Sequence, residues 1–164
     1  MKTIIVTGTP GTGKTDVSKK LAYKLKYFYL DVNKIISKYG LSEGYDRKRK
    51  TKIIDTNKLN RRLILEIKNI NKNKKYNGII IDSHLSHYLP KKYADFCIVA
   101  KCSIKELNKR LKKKKFHQSK IKENIEAEIF DVCLNEAIKM KHDVIVADTT
   151  KHFNMDEIIL RLRN

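Results

Sequence analysis

Apolar residues along this chain follow two alternating spacings. Uninterrupted runs occur at Ile4-Ile5-Val6, Tyr27-Phe28-Tyr29-Leu30, Ile79-Ile80-Ile81, Phe96-Cys97-Ile98-Val99-Ala100 and within His142–Ala147. Between them, apolar positions recur every three or four residues. Short runs bounded by turn residues read as strands covered on both faces, and the wider spacing reads as amphipathic helix. Helices are thus predicted over Asp16–Leu25, from Asp31 to about Tyr39, and from Asn57 to about Asn73. Further helices are predicted from Ser103, from about Ser119 to Lys141 as one long element, and from Asn154 to the chain end. Ser103 with Glu106, and Asn154 with Glu157, have the spacing of capping boxes. Strands alternating with helices predict an α/β fold, a five-stranded parallel sheet between two helical layers. Without a repeat or linker, residues 1–164 read as one domain, in which Gly40 to Thr56 is the least regular stretch.

The first strand leads into Gly8-Thr9-Pro10-Gly11-Thr12-Gly13-Lys14-Thr15, and a helix follows at once. GxxxxGK[ST] between a strand and a helix is a phosphate-binding loop, because glycines let successive backbone N–H groups turn inward around an anion at a helix N-terminus. Gly11 and Gly13 supply the permissive backbone. Lys14 is placed to reach β- and γ-phosphates, the Thr15 hydroxyl to ligate Mg²⁺, and the Asp16 N–H to face an α-phosphate. The Asp16 carboxylate would repel a phosphate and is expected to point away.

Ile79-Ile80-Ile81-Asp82 is an apolar strand ending in a carboxylate downstream of such a loop, the form of a Walker B element whose Asp holds the Mg²⁺ hydration shell. His84 stands two residues on, at the strand end where open parallel sheets place ligands, and can orient water or a phosphate oxygen. His87 reads as structural, since two histidines without further ligands make a poor metal site. Arg110 and Lys112-Lys113-Lys114-Lys115 form a cationic cluster. It suits clamping of phosphates, with Arg110 stacking on a base; a solvated helix end favoured by its own dipole fits the lysines better than the arginine. The run Asp46-Arg47-Lys48-Arg49-Lys50 reads either as a solvated loop or as part of an insertion that receives a second substrate.

Net charge is +19, from 37 basic and 18 acidic side chains. That excess fits a polyanionic neighbour such as RNA, and it equally fits a chain biased throughout towards Lys, Asn and Ile. Three cysteines, Cys97, Cys102 and Cys133, lack paired spacing, so buried thiols are expected rather than disulfides or zinc. No apolar run approaches the ~20 residues of a membrane span. With no signal peptide ahead of the first strand, a cytoplasmic location is expected.

Three blocks carry a resemblance. Gly8–Thr15, Ile81-Asp82-Ser83-His84-Leu85-Ser86-His87-Tyr88-Leu89-Pro90 and Lys122-Glu123-Asn124-Ile125-Glu126-Ala127-Glu128-Ile129-Phe130-Asp131-Val132-Cys133 resemble, in order, the archaeal members of the CINAP family, called adenylate kinase isoenzyme six in eukaryotes. The resemblance implies a small P-loop kinase of the nucleoside-monophosphate kinase type. A monophosphate-binding insertion would lie near 31–55 and a short lid near 110–120. It implies a broad-specificity adenylate kinase with ATPase activity, using ATP, AMP and Mg²⁺. It further implies a role in small ribosomal subunit maturation, with a platform ribosomal protein and rRNA as partners. An assembly ATPase with little true kinase activity is the other function it allows. By position, Gly11, Gly13, Lys14, Thr15 and Asp16 would contact ATP, Asp82 and His84 form the Walker B pair, and Arg110 serve as the lid arginine. Two departures stand out: Lys114-Lys115-Phe116 where relatives carry Arg-Gly-Tyr, and a basic rather than acidic run at 46–50. Lysine lacks the planar fork of arginine, so its grip on phosphate would be that of a point charge.

Overall fold

The computed structural model describes residues 1–47 and 51–163. Seven strands and seven α-helices are formed among them, besides two short 3-10 turns at Ser86–Tyr88 and Lys91–Tyr93: β1 (Lys2–Thr7), α1 (Lys14–Leu25), β2 (Phe28–Asp31), α2 (Val32–Lys38), β3 (Ser42–Asp46), β4 (Thr51–Ile54), α3 (Thr56–Lys72), β5 (Gly78–Asp82), β6 (Phe96–Lys101), α4 (Ile104–Lys113), α5 (Gln118–Ile129), α6 (Val132–Lys139), β7 (Val144–Asp148) and α7 (Met155–Arg163). The main sheet is parallel, in the order β2-β5-β1-β6-β7. All five predicted runs therefore became its strands. Ile4, Ile5, Val6, Ile79, Ile80, Ile81, Cys97, Ile98 and Val99 are essentially without solvent contact, which is why these runs carry no polar alternation.

Two apolar layers flank the sheet. One face packs against α2, α3 and α6 through Val32, Leu59, Leu63 and Ala137, the other against α1 and α7 through Val17, Leu21, Ile158 and Leu162. A smaller cluster, Cys102, Leu107, Leu111 and Ile121, joins α4 to α5. Among the described residues no helix is long and apolar enough to cross a membrane. Cys97 and Cys102 are buried and Cys133 half-buried, all as free thiols.

The structure differs from the sequence reading in three places. The predicted helix 119–141 is two helices, α5 and α6, broken where Asp131 takes a left-handed backbone (φ 53°) and ion-pairs with Lys101. The irregular stretch 40–56 contains an antiparallel hairpin, β3 with β4. Lys48, Arg49 and Lys50 of the predicted basic run lie outside the described residues. The first capping box is half formed: Ser103 Oγ accepts from the Glu106 N–H (3.3 Å), but the Glu106 carboxylate turns to Arg110 instead of returning to the cap. At α7, Asn154 Oδ1 accepts from the Glu157 N–H (3.2 Å).

Candidate active site

The loop between β1 and α1 wraps on itself. Thr12 donates to the Thr9 carbonyl through both its N–H (3.2 Å) and its hydroxyl (2.8 Å), and Lys14 Nζ donates to the same oxygen (3.1 Å). Gly11 and Gly13 have φ of 99° and 89°, a region L side chains rarely enter. At Gly11 a Cβ would also come within 2.9 Å of Leu107 Cδ1 and Leu111 Cδ2, so the bare backbone rests on α4. Burial pushes the Lys14 ammonium down to about 8, against the opposing pull of Asp82. Asp16 turns along the helix to Lys20 (2.8 Å), while its N–H donates to the Gly13 carbonyl (3.1 Å), a bond that a phosphate would have to share.

Asp82 lies at the C-terminal end of β5, buried, in register with Val6 and with Asp31. The Thr15 hydroxyl donates to its Oδ2 at 2.7 Å, and the Tyr29 hydroxyl donates to the same atom at 2.8 Å. A strand-end carboxylate beside a threonine hydroxyl is a hard-oxygen pair suited to Mg²⁺ that takes its remaining ligands from phosphates and water. These donors fit the ion.

The turn after β5 is stitched to β1. Ser86 Oγ lies 2.9 Å from the Val6 carbonyl and 2.8 Å from that of Ser83, and the Ser83 N–H donates to Val6 (3.2 Å). This fixes His84 at the sheet end, with its ring exposed to a cleft. Crowding by the protein, then the charges of Lys14, His87 and Lys120, push the ring down to about 4. Because the ring meets cleft water, the burial contribution is tempered, but all four influences act in one direction and the imidazole is neutral at pH 7. His87 is buried instead. Its Nδ1 is 2.7 Å from Thr7 Oγ1 and its Nε2 is 3.0 Å from Glu136 Oε2.

Arg110 is held at three nitrogens. Nε donates to Glu106 Oε1 (2.9 Å), Nη1 to Thr149 Oγ1 (3.1 Å) and Nη2 to the Thr149 carbonyl (2.6 Å). Thr149 in turn donates to the Thr12 carbonyl (2.5 Å), so the segment after β7 is tied directly to the phosphate loop. A cleft of about 740 Å³ opens here, bordered by Gly13, Arg110, Lys114, Thr149 and Phe153. A second, of about 490 Å³, is bordered by Asn33, Tyr45, Lys52, His84 and Lys120. The charge of Lys14 is among those that lower the pKa of His84, on the border of the second cleft.

Six of the residues singled out in the sequence, Gly11, Gly13, Lys14, Thr15, Asp82 and His84, therefore gather at one end of the sheet, and Arg110 reaches them through Thr149. Sequence reasoning missed Tyr29, Thr149 and Phe153. The one signal available was position: Tyr29 stands in β2, and Thr149 follows β7, at the strand ends where ligands collect.

A family model described as an AAA domain matches residues 4–131. A protein of Methanocaldococcus jannaschii named "Putative adenylate kinase" is 35% identical over 161 residues, covering 98% of this chain and 86% of its own. The "Adenylate kinase isoenzyme 6 homolog" of Caenorhabditis elegans is 31% identical, covering 97% and 86%. The chain belongs to the adenylate kinase isoenzyme 6 family. Shikimate kinase from Acinetobacter baumannii superposes with a TM-score of 0.59 at 12% identity, covering 99% of this chain and 91% of that one. A sugar kinase from Janibacter superposes at 0.61 and 15%, covering 99% and 92%. At such identity these two speak for the P-loop kinase fold alone, and the family rests on the sequence relatives.

Proposed function

We propose that this chain transfers the γ-phosphoryl group of Mg-ATP to AMP, giving two ADP. The observation that carries the reading is the pair of clefts, one lined by Gly11 and Gly13 of the phosphate loop and the other by His84, two residues beyond Asp82. The adenosine of ATP would occupy the larger cleft. Three of the five Arg110 N–H groups are engaged by protein, which fixes the plane of the guanidinium so that its face can stack on a base. Gly11, Gly13, Lys14 and Thr15 would bind the phosphates, and Thr15 with Asp82 would hold Mg²⁺, partly through water. When bound, the ion neutralises charge on the phosphate oxygens. AMP would enter the second cleft, where Lys52 and Lys120 offer point charges to its phosphate. An AMP oxygen is already anionic, so transfer needs positioning and charge neutralisation rather than a strong base.

A second reading, ATP hydrolysis as a switch in small ribosomal subunit assembly, draws on one observation. His84 is neutral and faces the acceptor cleft, as a group that orients water must. In that role the +19 charge would favour rRNA and a platform ribosomal protein as partners.

Production of ADP and phosphate from Mg-ATP, with and without AMP, separates the two. For a kinase, AMP accelerates ADP formation without phosphate release, and His84→Ala retains it. If phosphate appears regardless of AMP and His84→Ala removes it, hydrolysis is the main chemistry.

A further inference from the structure

The block 122–133 is long and distinctive, yet none of its residues borders either cleft except through the fold. Its most buried charged member is Glu128, 6% exposed near the end of α5. A buried carboxylate is costly unless its oxygens are satisfied, and here both are. Oε2 accepts from the Thr9 hydroxyl at 2.6 Å, and Oε1 accepts from the Cys102 N–H at 3.2 Å, just beyond β6. Thr9 is the second residue of the phosphate loop, and its carbonyl is the oxygen on which Thr12 and Lys14 converge. The same helix pair touches the loop a second time, where Gly11 lies against Leu107 and Leu111 of α4.

We propose that Glu128 is a positioning residue for ATP: by bridging Thr9 to Cys102 it holds the entrance of the phosphate loop. The inference rests on the reading of this loop as the ATP site. Both contacts come from one helical hairpin, α4 resting on Gly11 and α5 gripping Thr9. Glu128 touches no phosphate. It acts by keeping the Thr9 carbonyl where it can organise Thr12 and Lys14.

The test compares Glu128→Ala, Thr9→Val, the double variant and Thr9→Ser. Mg-ATP binding is titrated calorimetrically, and KM for ATP and for AMP are measured separately. Thr9→Val keeps the side-chain shape and removes only the hydroxyl. Each of the first two should weaken ATP binding about tenfold, as loss of one hydrogen bond to a charged group does, and leave KM for AMP unchanged. The double variant should be no weaker than either single one, because the two residues act as a unit. Thr9→Ser should restore wild-type binding. Should Glu128→Ala fail to fold, the Val and Ser variants decide alone. Wild-type ATP affinity in Thr9→Val, or losses that add in the double variant, would overturn the role. Absence of ATP binding in the wild type would instead remove the reading of the loop itself.

Discussion

The hydroxyl of Tyr29 donates to Oδ2 of Asp82 at 2.8 Å, across the register that sets β2 beside β5. Thr15 donates to the same oxygen, so one carboxylate atom is oriented from two sides. Burial first, and then the neighbouring carboxylate, raise the pKa of the Tyr29 phenol, so it remains a donor across the working range of pH. Tyr29→Phe should leave the sheet intact and loosen Asp82. We expect kcat to fall about tenfold, the scale of one hydrogen bond to a charged group. The Mg²⁺ concentration for half-maximal rate should rise as well. An unchanged Mg²⁺ dependence would mean that Thr15 alone suffices to aim the carboxylate.

Lys14 gives a pH dependence of definite sign. Its pKa in the folded chain, about 8, lies below its ordinary 10.5 because burial disfavours the ammonium. The folded state thus binds fewer protons than the unfolded one between these values, and the penalty on folding, full below pH 8, is relieved as pH rises. Phosphate anions act the other way and restore the charge. Binding of Mg-ATP should therefore take up a proton above pH 8, and affinity should weaken there by up to about tenfold per unit. Calorimetry in buffers of different ionisation enthalpy reads the proton directly. Equal apparent enthalpies at pH 8.5 would show that Lys14 is already charged in the free protein.

Gly78 opens β5 under the ring of Tyr27. A Cβ at this position would overlap Cδ2, Cε2 and Cζ of that ring, and β5 is fixed by pairing on both edges. Gly78→Ala should destabilise the fold by about 1–3 kcal/mol, the usual cost of forcing extra volume into a packed site. Thermal or urea unfolding checks it, and Tyr27→Ala in the same chain should recover most of the loss. The site at the other end of β5 should keep its KM values.

What could be read from the sequence divides by range of interaction. The phosphate loop and Asp82 are local patterns, a glycine turn before a helix and an apolar strand closed by a carboxylate, and they fall where the pattern puts them. Tyr29 meets Asp82 across 53 positions, and Glu128 meets Thr9 across 119. No local periodicity encodes either contact. The break between α5 and α6 has neither Gly nor Pro to mark it, and arises where Asp131 leaves helical geometry to meet Lys101. The β3–β4 hairpin lacks a buried face, so it shows none of the alternation that announces a strand. The Arg110 cluster has no local pattern that sets the arginine apart; Thr149 and Glu106 hold its guanidinium, while the adjoining lysines are exposed.

His84 separates water-directed chemistry from transfer to AMP by its titration. Protonation would cost the ring its acceptor nitrogen, but the surrounding protein, tempered by cleft water, and then Lys14, His87 and Lys120 push the pKa down, to about 4. A histidine of ordinary pKa, about 6.5, would lose half its neutral form at mildly acid pH. ATP hydrolysis that depends on neutral His84 should instead be flat from pH 7 down to about 5 and fall only as pH approaches 4. Lys120→Met removes one of the charges that depress the ring, so the acid limb should move upward in that variant. Transfer to AMP, which asks no proton acceptor of His84, should show no limb that moves with Lys120. If the hydrolytic profile breaks near 6.5 and ignores Lys120→Met, His84 is not the group that orients water.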